Sequence, residues 1–512
     1  MNAASDDTAS VPAAERRLHP WSWLFVLVQQ LRQFIVPLVA LLIFGGRGDR
    51  VDTWMAWAPL IAVAVLVLNA AMQYFTFRYR AGRDGLSVRE GWLHRSQRDI
   101  PYARIHNVVV HQSLLHRLFG VAEVRLESAG GQKPEAEMRV LGLAEAAALE
   151  DVIRHRGREA APPISEHGAP AVGAPAAKTL LTLPPGEILR LGLVSNRGMI
   201  LVAAMSGLAW QVLPDHLIAD SISEYSEQAV GYASHLQLGW AGTAIAALAL
   251  IATLVALLRA LSILLALLQY HGFRLSAEPR RLTVERGLLT RLRTSVARRR
   301  IQAWTLEETL LHRWLGRRGL RIDTAVAEQQ RQGEQRALKE LAPIATPAAC
   351  DDLVREVLPQ AHWPRTDWRA LPAAAWWRLF LPGLPWLLLL VAVATYFLGP
   401  WGAAVLLWLP WSVHGARRNA RHAAYALDER LVAVRGGWWS RWWRFAEIDK
   451  LQALRLSRSP VDRRLGTATL WLDTAGATGL APPLRIRFLP QHEAQALYET
   501  LSAALARRRL RW

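Results

Sequence analysis

The chain has few of the residues and motifs that secreted folds and most enzymes need. Cys350 is the one cysteine among 512 residues, which excludes an intrachain disulfide and gives no sign of an oxidising compartment. There is no Gly-rich phosphate loop with a following lysine, no His-Glu-x-x-His, no Cys-x-x-Cys and no Gly-x-Ser-x-Gly. Acidic residues are also scarce, 42 against 61 basic ones, for a net charge of +19. The sequence therefore favours a basic protein that is not an enzyme and carries no cofactor.

Two small groups of titratable residues remain, and neither has the spacing of an active site. His106, His111 and His116 are spaced by five, which matches neither a strand face nor a helix face. Glu307 and Glu308 are adjacent and point in different directions, so paired acid-base work is not expected. We predict no metal site and no catalytic residue.

Long apolar segments alternate with arginine-rich ones, a pattern typical of a multi-pass membrane protein. A membrane helix needs about 20 mostly apolar residues. The strongest segments are 55–75, 239–269 and 376–397, and weaker ones lie beside them at 22–45, 198–213 and 400–415. These segments pair into three predicted hairpins, or about six membrane helices.

The distribution of charge predicts the orientation of these hairpins. The loop 213–238 has four acidic residues and no Lys or Arg, whereas the segments after the hairpins are rich in arginine. By the positive-inside rule we expect those segments and both termini to be cytoplasmic. Residues 1–19 lack the basic start of a signal peptide and are predicted to be a disordered tail.

A pair of glycines recurs three times, each time after a predicted hairpin. The members of each pair are 29 residues apart: Gly91 and Gly120, Gly287 and Gly316, Gly437 and Gly466. The string Leu-Leu-His-Arg occurs at 114–117 and again at 310–313, in the same register relative to the glycines. It predicts a helical turn that the second glycine closes. A fixed period of this kind indicates one module present in three copies.

Each copy has the pattern of several short strands closed by a helix. Apolar and polar residues alternate before the first glycine, at 86–90, 282–286 and 431–435, which predicts a strand and a hairpin turn. Further strands are predicted at 105–110, 122–127 and 467–473, and closing helices at 143–154, 348–357 and 491–506. The fold class predicted is α+β, with each hairpin followed by a β-barrel like that of pleckstrin-homology (PH) domains and a C-terminal helix.

The first copy resembles the bacterial PH-like domain family known as bPH2, formerly DUF304. The residues that carry the resemblance are Val88, Gly91, Pro101, Ile105, Leu118, Phe119 and Gly120. The second copy has Val296-Ala297 in place of the proline, and the third has Arg464-Leu465 before its second glycine. Three such domains, each after a helix pair, are similar to membrane proteins of the YdbT type. The resemblance implies a bacterial cytoplasmic (inner) membrane protein with an envelope-associated role and a smaller one-module companion.

These observations divide the chain into eight predicted segments. They are a tail (1–19), hairpin 1 (20–75), repeat 1 (76–158), a Pro/Ala-rich linker (159–186), hairpin 2 (187–269), repeat 2 (270–360), hairpin 3 (361–416) and repeat 3 with a basic tail (417–512). We expect the linker to be flexible because of its composition.

Arginine in the second copy is the main candidate for binding. Residues 270–345 contain 15 Arg and 1 Lys against 8 acids. The candidate contacts for anionic lipid head groups or a partner are Arg291, Arg293, Arg298, Arg299, Arg300, Arg317 and Arg318. Aromatic residues are not interleaved as nucleic-acid stacking requires, so nucleic acid is not an expected partner. The alternative is that these arginines only hold the segment inside the cell and keep it soluble.

Four polar residues in the apolar segments form a second candidate site. Gln29, Gln30 and Arg32 interrupt the first segment, and Arg259 lies late in the fourth. Charged groups inside a membrane often mark a pathway, but Arg259 also has the position of a side chain that snorkels to the cytoplasmic face.

The sequence therefore supports two functional hypotheses. The first is a non-enzymatic membrane protein whose three modules bind one another, partner proteins or anionic lipid, with a role in envelope maintenance. The second is a transporter or lipid-handling protein that uses the six-helix bundle.

Overall fold

A computed structural model shows the arrangement of the modules. It describes residues 15–31, 53–92, 95–102, 105–128, 136–159, 178–212, 240–324, 338–372, 375–475 and 481–507, with isolated positions between them. Arg32 and residues 1–14 of the predicted tail lie outside the described residues.

Three similar modules follow one another along the chain, each with two groups of three strands. Module 1 has β1 (Arg78–Ala81), β2 (Gly85–Glu90), β3 (Ser96–Pro101), β4 (Ile105–Gln112), β5 (Val121–Ser128) and β6 (Ala136–Gly142). Module 2 has β8 (Arg274–Glu278), β9 (Arg281–Arg286), β10 (Arg291–Ala297), β11 (Ile301–Glu308), β12 (Arg318–Thr324) and β13 (Glu340–Ala345), and β7 (Lys178–Thr182) joins it from before hairpin 2. Module 3 has β15 (Ala424–Leu427), β16 (Leu431–Gly436), β17 (Arg441–Glu447), β18 (Leu451–Ser457), β19 (Thr467–Thr474) and β20 (Arg485–Pro490), joined by β14 (Arg369–Ala370).

Each module also has a short helix after the first strand of its second group and a longer closing helix. The short helices are Leu114–Leu118, Leu310–Trp314 and Pro460–Leu465, and the closing helices are Leu143–Glu159, Pro347–Val357 and Gln491–Ala506. The predicted strands and closing helices are therefore confirmed. The apolar pattern of each segment involves only residues close in sequence. Burial of these apolar residues favours the same strand or helix that the local pattern predicts.

The paired glycines are explained by two backbone positions in every module. Gly287 and Gly437 lie in the first hairpin turn at φ 112° and 80°. A Cβ there would approach the oxygens of Thr290 and Ser440 to 1.9 and 1.8 Å, so the turn excludes a side chain. The second glycine of each pair ends the short helix in the left-handed conformation that glycine adopts without strain.

The two groups of strands within a module do not form one closed barrel. The strand orders are β1-β2-β3, β6-β5-β4-β10-β9-β8-β7, β13-β12-β11-β17-β16-β15-β14 and β18-β19-β20. The second group of one module thus continues directly into the first group of the next. This refines the expectation of separate barrels. In each module the chain turns sharply between the last strand of the first group and the first strand of the second group, so the two strands lie in different sheets. At both junctions the free backbone edges of such strands pair with a strand of the adjacent module.

The hydrophobic cores reflect this exchange of strands. The core of module 1 is its own, built around Leu86, Val124 and Met138. The core of module 2 also includes Leu431 and Phe445, which belong to module 3. Modules 2 and 3 therefore share buried apolar side chains as well as a sheet.

The segment predicted as a linker is not wholly irregular. Lys178–Thr182 forms β7 on β8, while residues 160–177 lie outside the described part. The equivalent contact recurs as β14 on β15 and as a bridge between Arg16 and Tyr79. The chain thus adds a short edge contact to each module's first sheet before it enters the corresponding hairpin.

Two helical segments in the described part have the length and composition to cross a membrane, Ala241–Tyr270 and Trp376–His422. The helices Pro185–Val194 and Arg197–Val212 form a third candidate if their 53° bend lies within one span. Shorter apolar helices occur at Ser22–Leu31 and within Thr53–Thr76. Six membrane helices were predicted, and two or three of the described helices have the length and composition to span, so the predicted number is not shown.

The segment Trp376–His422 folds back on itself at Gly399, where φ is 61°. A Cβ on Gly402 would lie 2.2 Å from the nitrogen of Thr395. Residues seven apart in a straight helix would be about 10 Å apart along the axis. This segment is therefore a hairpin, made of Trp376–Phe380, Leu384–Leu398, the 3₁₀ stretch Gly399–Leu407 and Trp408–His422.

Small residues bring the two sides of hairpin 2 together. A Cβ on Gly192 would lie 2.4 Å from the Cα of Ile263, and the Gly198 amide donates to Ser262 Oγ at 2.9 Å. Close approach at small residues is how helices pack in a membrane, where lipid tails compete with apolar side chains.

Candidate functional site

The two junctions between modules have the same backbone register. Strand β10 of module 2 pairs with β4 of module 1, and β17 of module 3 pairs with β11 of module 2. Counted from the first glycine of its own copy, the fourth residue of the later module always faces the twenty-first of the earlier one. The pairs are Arg291 with Gln112 and Arg441 with Glu308. The docking geometry is therefore a property of the module and not of one pair of sequences.

Junction 2–3 is buried and closed by an ion pair. Arg444 is 1% exposed and donates to Asp323 and to Thr305 Oγ1, the latter at 3.1 Å. The rings of Trp304 and Phe445 are parallel, with centroids 6.4 Å apart. This buried ion pair holds the register of β11 and β17, because removing either partner would leave the other charge buried and unpaired.

Junction 1–2 is more polar. Arg293 lies 3.4 Å from Glu150 on the closing helix of module 1 and 3.2 Å from Glu285 of its own module. The Arg293 side chain is 40% exposed, whereas that of Glu150 is 5% exposed, so water reaches this pair from the arginine side. Val109 and Val110 of β4 supply the apolar part of this junction.

In modules 1 and 2, the arginine of the repeated Leu-Leu-His-Arg string connects the short helix to the next module by a hydrogen bond. Arg117 donates to the backbone oxygen of Leu288 at 2.9 Å, and Arg313 to that of Trp439 at 3.3 Å. Both oxygens belong to the first hairpin turn of the following module. The string predicted a helical turn but not this contact, although its exact repetition was an available signal.

The histidine of the string belongs to the cap of the short helix. His116 Nδ1 lies 2.6 Å from Ser113 Oγ, and His312 Nδ1 lies 2.9 Å from Thr309 Oγ1. Asp462 has the same place in module 3 and bonds to Ser459. These residues stabilise the start of the helix, as polar groups in a capping box do.

Each short helix, or the loop that ends it, also contacts the membrane hairpin of its own module. In module 1 the ring of Phe25 lies 4.2 Å from that of His116. In module 2 Arg317 makes two hydrogen bonds to Glu187, at 2.8 and 2.7 Å. In module 3 Arg378 pairs with Asp462. The short helix therefore links three parts: its own module, its hairpin and the next module.

The hydrogen bonds around Asp462 change its acidity. Burial acts to raise the pKa of this carboxyl, but hydrogen bonds from Ser459, Arg378 and Thr467 outweigh it and lower the pKa to about 2. Asp462 thus stays ionised across the physiological range, and its pair with Arg378 persists.

Exposed apolar side chains collect at the ends of the modules that adjoin the hairpins. They occupy the first hairpin turns and the short helices, and we call them the rim: Trp92, Leu118, Leu288, Leu289, Trp314, Trp439 and Leu465. Trp314 is 84% exposed and Leu118 77%. The sequence analysis did not single these residues out as a group.

Two contacts place the rim beside the helix ends. The Leu288 amide donates to the oxygen of Leu268, near the end of Trp240–Tyr270, at 2.9 Å. The Trp439 ring lies 6.0 Å from that of Trp411, in the helix Trp408–His422. Tryptophan at this level is typical of a membrane interface, because the indole is apolar with one polar N–H.

The predicted basic residues do not form one patch. Arg291 and Arg293 lie at junction 1–2, Arg317 contacts hairpin 2, and Arg318 lies 3.3 Å from Asp351 and stacks on Trp443 of module 3. Contacts inside the protein therefore largely neutralise Arg317 and Arg318, whereas the Arg291 side chain is 60% exposed.

Arg298, Arg299 and Arg300 form a separate 3₁₀ turn after β10. Arg299 is exposed, and its backbone oxygen accepts from Lys450 Nζ at 2.7 Å. Burial lowers the pKa of Arg300 to about 10, so it remains charged at neutral pH. This turn keeps the positive charge that was expected of the whole group.

The predicted intramembrane residues are also dispersed. Arg259 Nη1 donates to the oxygens of Leu193 and Ser195 and to Asn196 Oδ1, at 3.0 to 3.1 Å. Arg259 thereby supplies hydrogen bonds to the backbone oxygens at the break between the helices Pro185–Val194 and Arg197–Val212. Gln29 is exposed and Gln30 half-buried on the helix Ser22–Leu31.

The titratable side chains have structural partners. His111 Nδ1 lies 3.2 Å from Glu123, and Glu307 lies 3.4 Å from Arg321. The Cys350 thiol is buried, which raises its pKa to about 12. No group of three or more His, Cys, Asp or Glu that fits a metal ion occurs in the described residues.

Comparison with known proteins gives one family and one curated relative. The family model described as "Bacterial PH domain" matches residues 26–157, 233–351 and 379–505. The UPF0699 transmembrane protein YdbT of Bacillus subtilis (strain 168) is 21% identical over 457 residues, which cover 87% of this chain and 89% of the relative. No solved structure matches.

Proposed function

This chain belongs to the bacterial PH domain family, and from that membership we propose that it is a non-enzymatic binding platform in the bacterial cytoplasmic membrane. Three modules joined by common sheets form one array beside the hairpins. The array presents partner-binding edges and a membrane-proximal rim. The role that fits this arrangement is envelope maintenance, with a smaller membrane protein of the same family as a companion.

The proposed topology has three hairpins and six membrane helices, with the modules and both termini in the cytoplasm. The acidic loop 213–238 supports it, because positive residues stay inside and acidic loops cross more readily. Alkaline phosphatase and fluorescent-protein fusions after Arg158 and after Trp512 should both report a cytoplasmic location. A periplasmic signal from either fusion would reject this topology.

One observation carries the binding proposal: the rim sets apolar and indole side chains at the level of the helix ends in modules 2 and 3. Residues at that level meet lipid head groups. The turn Arg298–Arg300 lies at the far end of β10 from the rim, next to the β8–β9 turn. Exposed arginines also lie at the rim itself, at Arg95, Arg291 and Arg464. Each arginine near an anionic membrane surface contributes about 1 kcal/mol. Anionic lipid is therefore the proposed ligand of the membrane-proximal end.

Lipid retention tests this proposal on the intact chain. The protein would be purified, exchanged into nanodiscs of equal phosphatidylglycerol and phosphatidylcholine, and re-extracted in mild detergent. Mass spectrometry should then find phosphatidylglycerol enriched among the retained lipids, by severalfold over its share in the disc. Replacing Arg95, Arg291 and Arg464 with Ala should lower that enrichment.

Arg299→Ala is the matched control, because it removes an exposed arginine from the far end of β10, away from the rim. Equal retention of the two lipids by the wild-type chain would reject the lipid proposal. The transport alternative gains little from Arg259, whose guanidinium is committed to the break between Val194 and Arg197.

A further inference from the structure

The first strand of the second sheet has a different environment in module 3 from that in modules 1 and 2. Strands β4 and β11 are each covered by the next module, but among the described strands β18 pairs only with β19. In β11 the four residues Ala303–Leu306 are all buried, whereas in β18 Ala453 and Arg455 are exposed and Leu454 and Leu456 half-buried. The edge of β18 is therefore a junction surface that no other described strand covers.

The short helix of module 3 supports the same reading. Arg463 occupies the position from which Arg117 and Arg313 donate to the turn of the following module. Arg463 is exposed. Module 3 therefore has both features that bind the next module at the two internal junctions: the backbone edge and the arginine of the short helix.

The side chains on β18 differ from those on β11 in a way that specifies a partner. Leu454 and Leu456 stand where β11 has Trp304 and Leu306, so the apolar positions are retained. Arg455 and Arg458 stand where β11 has Thr305 and Glu308. Arg463, nearby in sequence, is a third arginine, and the exposed Asp473 stands at the equivalent of Asp323. The edge is apolar and basic.

The edge of β3, which is the counterpart in module 1 of the edges that β10 and β17 use at the two junctions, does not fit this surface. In the register of both internal junctions, β3 of a second copy would place Arg98 opposite Arg455 and Gln97 opposite Leu456. Like charges directly opposite across strands are destabilising, and charged edges keep sheets from pairing. A second copy of this chain is therefore a poor occupant.

We propose that the outer edge of β18 binds an extended strand of another protein, with apolar residues opposite Leu454 and Leu456 and acidic residues opposite Arg455 and Arg458. The strand would extend the sheet by β-augmentation, in which main-chain hydrogen bonds supply affinity and alternate side chains supply specificity. It would repeat the register of the two internal junctions. This inference rests on the proposed role as a binding platform and names the partner chemistry of its protein-binding edge.

A cyclised β-hairpin peptide with the outer strand Glu-Thr-Val-Glu-Val is a suitable probe, since cyclisation removes most of the ordering cost. Its binding to the full-length protein in nanodiscs would be measured by fluorescence anisotropy. The wild-type chain should bind this peptide at least about tenfold more tightly than a peptide with Lys at both Glu positions. The double variant Arg455→Glu/Arg458→Glu should reverse the preference.

Reversal of preference distinguishes a docking edge from a misfolded variant, because a misfolded chain would bind neither peptide. Arg98→Glu on β3 is the matched control and should leave both affinities unchanged. Equal binding of the two peptides, or a preference that does not reverse, would overturn the assignment. Oligomers of the wild-type chain that dissociate in the double variant would identify a second copy as occupant and would also overturn it. Neither outcome affects the lipid experiment, which tests the membrane-proximal rim.

Discussion

Junctions 1–2 and 2–3 have one backbone geometry and two different chemistries. Both align the same module positions across the same two strands. Junction 2–3 adds a buried ion pair and stacked rings, whereas junction 1–2 has a half-exposed arginine between two glutamates. The fold alone sets the register, and the side chains set how firmly each pair of modules is held. We expect junction 2–3 to be the firmer one.

Asp323→Ala should have the largest effect, because it leaves Arg444 buried and without its carboxylate. The expected loss is about 3–5 kcal/mol of unfolding free energy for the unit of modules 2 and 3. Thermal unfolding of the full chain in detergent, with limited proteolysis to locate the opened region, would measure it. Arg293→Ala at junction 1–2 is the comparator and should cost less than Asp323→Ala, because Arg293 is half-exposed and Arg444 is not.

A double variant separates lost charge pairing from lost packing. Arg444→Met with Asp323→Leu removes both charges at similar volume, and should recover most of the stability lost in Asp323→Ala. If Arg293→Ala and Asp323→Ala lose the same unfolding free energy, burial of the ion pair does not make junction 2–3 the firmer one.

Acid should act on module 1 beside junction 1–2, with a smaller effect. Burial acts to raise the pKa of Glu123, but hydrogen bonding from His111 and the charge of Arg125 outweigh it and lower the pKa to about 2. A lowered folded-state pKa means that Glu123 contributes stability above its unfolded value, near 4.5, and loses that contribution as pH falls towards 2.

Hydrogen exchange of β4 and β5, measured from pH 6 to pH 3 and corrected for intrinsic rates, would follow this loss. Glu123→Gln should remove much of the pH dependence of the opening free energy that hydrogen exchange reports for these strands. A variant that keeps the wild-type pH profile would show that another group is responsible.

The module itself was predictable because its signals are local. The glycine spacing predicted the turns at Gly287 and Gly437, and the alternation before them predicted strands that the structure confirms. The string shared by modules 1 and 2 predicted a helical turn, which is the short helix Leu114–Leu118 in module 1. Each of these features depends on residues within about one turn or one strand of one another.

The candidate binding residues were less predictable, since their environment is made by distant segments. Arg317 looked like part of a basic surface, but its partner Glu187 is 130 residues away in sequence. Arg318 stacks on Trp443, which belongs to the next module. A count of charges cannot show which arginines are neutralised in this way.

The sequence by itself determined that this chain has three copies of one strand-rich module, each after an apolar segment, because spacing and periodicity are written in neighbouring residues. The tertiary structure alone decided that β4 pairs with β10 and β11 with β17, so that the modules share sheets. That choice depends on which free backbone edges meet after the chain turns its corner. Hydrogen bonds between edges carry no side-chain pattern, so only the folded arrangement can select the partner.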